Sequence, residues 1–347
     1  MRRFPVPELV AFAGRALTAV DVPADDAELV GDSLVAADRR GIGSHGLLRL
    51  PLYVRTIRAG GVTARARPRW LREHGATALL DADGGLGQVA MAVAVDRAAA
   101  LAGTHGAAVV AVQGSSHYGA GGYWTDRLTD RGMAGLLTST TGASVTPFGG
   151  ARPVLGTNPL TVAVPSSGDG PLAVDMATST GAYGKVVAAR DEGREIPQGW
   201  AVAADGSPTT DPAAALGGAL LPFGGPKGSG LSVLLEVLAA GLTGANYADQ
   251  TIDMWIDPGS RMNAGHLLLA VDTAAFTGRA HTEARAADMQ ERVRAAGPPG
   301  GTVHAPGDPE RAQQRRTGDR VPLAAPTVDQ LDRMAAELRI EGLGSGR

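Results

Sequence analysis

The run Asp38-Arg39-Arg40-Gly41-Ile42-Gly43-Ser44-His45-Gly46-Leu47-Leu48-Arg49, with Tyr53 just beyond it, groups a proton carrier, a carboxylate clamp and a phenol. His45, Arg49 and Tyr53 follow one another at intervals of four, which on one continuous helix turns all three side chains to a single face. Histidine titrates near neutral pH, and arginine can grip a planar carboxylate with two parallel hydrogen bonds. A small 2-oxo or 2-hydroxy acid asks for this set. A second proton carrier, His117, lies in Gly114-Ser115-Ser116-His117-Tyr118-Gly119, directly after an apolar strand pattern. Ligands of α/β proteins commonly bind at that carboxyl edge, where a histidine can give or take the proton that accompanies hydride transfer.

Hydride needs a carrier, yet the usual dinucleotide fingerprint is absent. Gly119 and Gly121 begin a G-x-G, but Trp124 stands where the third glycine belongs. Gly225-Pro226-Lys227-Gly228 fails as a Walker loop, because no serine or threonine follows the lysine directly. Arginine replaces lysine everywhere except at Lys185 and Lys227, each beside a glycine, where a compact ammonium differs most from a guanidinium. Lys227 also precedes an apolar helical pattern, and a helix amino terminus attracts phosphate. Asp175-Met176-Ala177-Thr178 reads as the end of a strand and the start of a helix; its carboxylate suits a ribose hydroxyl or, equally, an ordinary cap. No i,i+4 histidine pair suggests a metal site, and neither Ser44 nor Ser116 sits in the G-x-S-x-G of a serine hydrolase.

The 347 residues are 44% hydrophobic and 19% charged, enough for one large or two modest domains with a substantial core. With 32 Lys plus Arg against 35 Asp plus Glu, the net charge of -3 provides no basic field for nucleic acid or anionic lipid. The absence of cysteine excludes disulfides and thiolate catalysis. No apolar run is long enough for a signal peptide or membrane span, so a cytoplasmic protein without membrane or nucleic-acid partners is expected.

These residues need elements to hold them. The amino-terminal part reads as helices over 6–18, over 24–38 after a possible Asp21 cap, and over 47–58, where Pro51 threatens a kink. Arg65, Arg67, Arg69 and Arg72 then form a solvated connector. From residue 77 the pattern alternates: strands at 78–82, 107–112, 133–139, 160–164, 172–176 and 267–271, and helices at 88–102 (ended by Gly103), 123–131, 231–242 and 283–295. A last helix at 328–338 is placed to pack back on the amino terminus. The expected architecture is α/β: a helical domain of residues 1–72 plus 305–347, and an α/β cofactor-binding and catalytic domain of 73–304.

In order, the segments Gly41-Ile42-Gly43-Ser44-His45-Gly46 with Arg49 and Tyr53, Ser116-His117-Tyr118-Gly119, Pro147-Phe148-Gly149-Gly150, Leu155-Gly156-Thr157-Asn158-Pro159, Asp175-Met176-Ala177, Gly184-Lys185, Ile196-Pro197, Lys227-Gly228, Asn263-Ala264-Gly265-His266 and Pro306-Gly307 resemble the malate/L-lactate dehydrogenase family of the second type. That family includes ureidoglycolate dehydrogenases and Δ1-piperideine-2-carboxylate reductases. The resemblance covers nearly the whole chain. It implies NAD- or NADP-dependent oxidoreduction of a small carboxylate substrate on a mixed, non-Rossmann sheet, which explains the missing fingerprint, and it implies a homodimer. On this basis His117 is the general acid/base, Ser44, His45, Arg49 and Tyr53 form the substrate side with Arg49 on the carboxylate, and Thr141, Asp175, Met176, Ala177 and Lys227 hold the cofactor together with His117. Two positions depart from the family: Gly43, where an aspartate commonly precedes Ser-His, and Thr141, where Asn or Ser is more usual. The alternatives are reduction of a cyclic 2-imino acid and a catalytically silent relative that only binds a metabolite.

Overall fold

The computed structural model describes residues 1–344. The chain opens with strand β1 (Arg2–Pro5), helices α1 (Val6–Thr18), α2 (Ala24–Arg39) and α3 (Leu50–Arg58), and strands β2 (Arg69–His74) and β3 (Thr77–Asp81). Helix α4 (Gly87–His105), β4 (Ala107–Ser115), α5 (Gly121–Thr129), β5 (Met133–Ser139), β6 (Leu160–Val164) and β7 (Leu172–Met176) follow. A smaller unit comprises α6 (Tyr183–Asp191), β8 (Ala201–Val202), β9 (Pro208–Thr209), α7 (Pro212–Gly217) and β10 (Ala219–Leu220). The chain then forms α8 (Pro226–Glu236), β11 (Ala264–Asp272), α9 (Arg279–Arg294), α10 (Asp308–Thr317), β12 (Arg320–Leu323) and α11 (Ala325–Leu338).

Seven strands make a mixed sheet in the order β2-β3-β4-β11-β5-β6-β7. Only β3 and β4 are parallel; β11 lies at the centre, antiparallel to both β4 and β5. Its apolar run Leu267-Leu268-Leu269 is what a strand enclosed on both edges calls for. Met91 and Val95 of α4 and Trp124 and Leu128 of α5 pack with Val110, Val112, Leu137 and Leu268 in the core against this sheet. A second core joins the chain's two ends: Leu9, Phe12, Ala16 and Leu17 of α1, spaced three, four and seven apart, meet Val30 and Leu34 of α2, Tyr53 of α3 and Leu331 and Met334 of α11. The β1–β12 pair closes that end. No helix among the described residues is long and apolar enough to cross a membrane.

Several expected elements change. The helix over 47–58 is broken: 3₁₀ turns at Gly43–His45 and Leu47–Arg49 precede α3, so His45, Arg49 and Tyr53 do not share one helical face. Pro51 sits in the first turn of α3, where a missing N–H costs nothing, and produces no kink. Asp21 does not cap α2, which starts after Pro23. The connector Arg65–Arg72 ends in edge strand β2, where Arg69 pairs with Asp81, so β2 runs through the expected domain boundary at residue 72. Gly103 lies inside α4, which continues to His105 and is closed by Gly106 in a left-handed conformation. No helix starts at Asp175; α6 begins later, at Tyr183. Helix α8 starts at Pro226 rather than Leu231, placing Lys227 inside its first turn, and it runs on as a π turn over Val237–Gly241.

Candidate active site

The loop between α2 and α3 is pinned from below. Asp38, at the end of α2, accepts a hydrogen bond from the Leu47 N–H at 2.8 Å, and burial pushes its carboxyl up to about 7. A Cβ on Gly46 would collide with that carboxylate, so only glycine lets the loop settle on it. The same loop holds Ser44 Oγ 2.9 Å from His45 Nδ1, while Arg49 Nε donates to the Ser44 carbonyl at 2.6 Å. One edge of the Arg49 guanidinium is thereby committed, and its two terminal nitrogens are left for a ligand.

His117 lies two residues beyond β4. Its Nδ1 is 2.6 Å from the Tyr53 hydroxyl and accepts a longer bond, 3.3 Å, from the Gly119 N–H. Its ring stacks on His45 with centroids 5.4 Å apart and meets the Trp255 indole edge-on at 5.6 Å. The indole also covers Arg49, whose Cζ is 4.4 Å from the ring, a cation–π contact that steadies the guanidinium. Burial, with the neighbouring His45, Arg49 and His266, holds His117 well below the ordinary histidine range. His45 is lowered by burial and by Arg49, whereas Asp175 pulls it back up. Tyr53, only 1% exposed, is raised to about 12, chiefly by burial. Five residues singled out in the sequence, Ser44, His45, Arg49, Tyr53 and His117, thus stand together. Tyr53 addresses the histidine rather than open space.

The other five are spread over the end of β7 (Asp175, Met176 and, just past it, Ala177), the loop after β5 (Thr141) and the first turn of α8 (Lys227). Thr141 Oγ1 accepts from the Thr157 N–H at 2.9 Å, and the Thr157 carbonyl accepts from the Thr178 N–H at 2.8 Å, just past Met176 and Ala177. Asp175 caps α5 from across the sheet: its two oxygens accept from the Gly122 N–H at 2.8 Å and from Thr161 Oγ1 at 2.9 Å. Each oxygen keeps a lone pair for a further hydroxyl. Lys227 is exposed and forms no ion pair among the described residues. It follows Gly224 and Gly225, at φ +61° and +59°, a turn that only glycine makes without strain and that leads into the α8 amino terminus.

Sequence reasoning missed Gln88, Asp253 and Trp255. Gln88 carried a signal: it is the polar residue opening the Ala-rich, fully buried stripe of α4. Trp255 offered only its rarity, as one of four tryptophans. Burial raises the Asp253 carboxyl, while the Gly142 backbone, the Trp255 indole and Arg49 draw it back.

A buried histidine, hydrogen-bonded from behind and facing a half-covered arginine on a non-Rossmann sheet, defines an α/β protein equipped to exchange a proton with a small carboxylate. The malate/L-lactate dehydrogenase family matches residues 4–332, and the chain belongs to it. It is 38% identical over 332 residues to (2R)-3-sulfolactate dehydrogenase (NADP(+)) of Chromohalobacter salexigens, covering 95% of this chain and 97% of that one. To the Delta(1)-pyrroline-2-carboxylate/Delta(1)-piperideine-2-carboxylate reductase of Pseudomonas putida it is 37% identical over 275 residues, with 78% and 80% covered. The solved sulfolactate dehydrogenase from Methanocaldococcus jannaschii superposes with a TM-score of 0.92 at 32% identity, covering 98% of both chains.

Proposed function

We propose that this chain interconverts a small 2-oxo acid and its 2-hydroxy acid, with NAD or NADP as partner. The observation that carries the reading is the placement of His117 between the Tyr53 hydroxyl behind it and the Arg49 clamp beside it. The nicotinamide, when bound, supplies or removes the hydride at the substrate's C2. Arg49 binds the carboxylate with its terminal nitrogens. His117 Nε2, the ring nitrogen not facing Tyr53, exchanges the proton of the C2 oxygen, with Ser44 and His45 as the adjoining wall. Lys227 and the α8 amino terminus fit a phosphate, because an exposed ammonium without an ion pair among the described residues sits in a first helical turn whose N–H groups attract anions, and the open lone pairs of Asp175 fit ribose hydroxyls. Thr141, Met176 and Ala177 line the rest of this cofactor side.

A second reading, reduction of a cyclic 2-imino acid, draws on the apolar Trp255 indole beside the clamp, which suits a ring better than a second anionic group. A homodimer is part of the proposal. Val233, Leu234, Val237, Leu238 and Leu242 leave an apolar stripe exposed along α8 and its π turn, with Leu234 at 63% exposure, and a second copy would cover it. The test is nicotinamide absorbance with NADH and NADPH against pyruvate, oxaloacetate and cyclic 2-imino acids. Oxidation of either cofactor by a 2-oxo acid is expected; no turnover and no cofactor binding with any of them rejects the reading in favour of a silent binder.

A further inference from the structure

Behind the Tyr53–His117 pair lies a third group that no motif marked. Gln88, fully buried in the first turn of α4, donates from Nε2 to the Tyr53 oxygen at 3.0 Å, and its Oε1 is buried without a partner. The directions of these bonds are linked. If the amide nitrogen donates to Tyr53, the phenolic hydrogen points to His117 Nδ1, which also accepts from Gly119, and the imidazole proton sits on Nε2. A neutral ring in that form cannot take a proton at Nε2. Turning the amide over puts Oε1 against Tyr53 with hardly any movement of heavy atoms. The phenol then donates to Gln88 and accepts from His117 Nδ1–H, and Nε2 carries a lone pair. In either orientation one amide atom lacks a partner, but only the first keeps the Gly119 N–H bond to Nδ1, which makes the Nε2–H tautomer the resting one.

We propose that Gln88 is a positioning residue whose amide, acting through the Tyr53 hydroxyl, selects the tautomer of His117 and converts it from a resting to a proton-transferring form. In the transferring form His117 Nε2 takes the 2-hydroxyl proton during oxidation, and a bound nicotinamide would accept the hydride that leaves C2. The resulting imidazolium is held by Nδ1–H to Tyr53 and by Tyr53 O–H to Gln88 Oε1. Reduction reverses both movements, with no rearrangement of the relay. Gln88 Oε1 thus orients the histidine as a carboxylate does in a hydrolase triad, but carries no charge.

The proposal rests on His117 as the proton carrier. Gln88→Glu, an acceptor only, and Gln88→Leu, which lacks both amide atoms, are compared with the unaltered enzyme. In Gln88→Glu the histidine limb of the kcat/KM pH profile moves up by about one unit or more, because a buried carboxylate stabilises the imidazolium. In Gln88→Leu kcat falls roughly 10- to 100-fold, part of what a positioned acid/base contributes, while the substrate KM changes less than about threefold. Nitrogen-15 NMR of histidine-labelled protein reads the tautomer directly: the His117 proton moves from Nε2 to Nδ1 in Gln88→Glu, and this holds even if the leucine variant does not fold. An unmoved tautomer and pH limb in Gln88→Glu, or a Gln88→Leu variant that folds and loses only KM, overturns the proposal. Full activity in His117→Ala removes the underlying reading instead.

Discussion

Replacing Arg49 with lysine keeps the charge and removes the fork. In the structure the Arg49 Nε–H is spent on the Ser44 carbonyl at 2.6 Å and one face lies under the Trp255 ring at 4.4 Å, so the guanidinium presents two nitrogens in a fixed plane. A lysine ammonium reaches the carboxylate with one directed bond and has no such support. The lost charge-assisted hydrogen bond is worth about 1.5–3 kcal/mol and the weakened cation–π contact about 0.5–1 kcal/mol. Together, about 2–4 kcal/mol lowers kcat/KM by roughly 30- to 700-fold, carried mainly by KM. The assay is initial velocity with a 2-oxo acid and with its primary amide, which keeps the reacting carbonyl but not the carboxylate. The native enzyme should prefer the acid strongly, and in Arg49→Lys that preference should shrink by the same factor. Equal losses for acid and amide, or an unchanged KM for the acid, would refute the clamp.

His117→Ala should lose about 10²- to 10⁴-fold in turnover while cofactor binding, followed by nicotinamide fluorescence, stays near native; lost binding with normal chemistry would reject the role. Asp38 has a folded-state value of about 7 against an ordinary 3.8, so between these the native state holds a proton that the unfolded chain has released. Stability contributed by this site therefore falls as pH rises from about 4 to about 7, by at most about 4 kcal/mol. Asp38→Asn, which can still accept from Leu47, should flatten that dependence in urea melts at pH 5 and 7.5, and an unchanged slope would remove Asp38 as its source. On the proposal that a second copy covers the exposed stripe of α8, the unaltered chain should be dimeric and Leu234→Asp monomeric by light scattering; a variant as dimeric as the unaltered chain places the interface elsewhere, and a monomeric unaltered chain removes the proposed dimer.

Local signals in the sequence were strong where one element explains itself. The apolar runs of β4, β5 and β11 and the stripe of α1 were legible because period and burial agree. The position of His117 just past a sheet strand was legible because a buried strand pattern precedes it. What stayed hidden were relations across the chain. Tyr53 meets His117 across 64 positions, and Gln88 meets Tyr53 across 35. Spacing along one helix assigned Tyr53 to the ligand; the break at Gly46, set by the Asp38 carboxylate beneath it, reorients the three residues. Asp175 shows the opposite limit: its reading as a cap was right in kind, but the helix it caps, α5, begins 54 residues earlier in the chain, at Gly121.

The place of β11 has a consequence for how the protein comes into being. The central strand of the sheet is made of residues 264–272, so during synthesis β4 and β5, finished more than a hundred residues sooner, have no strand between them. Two apolar edges must wait unpaired while more than a hundred further residues emerge, the condition under which nascent proteins stick to one another. Insertion of β11 joins distant parts at a single step, a topology that folds slowly. His266, buried in that strand with Ser115 Oγ and Ser139 Oγ each 2.8 Å from its ring nitrogens, can find both partners only in one register. The late strand thus carries its own check on correct seating.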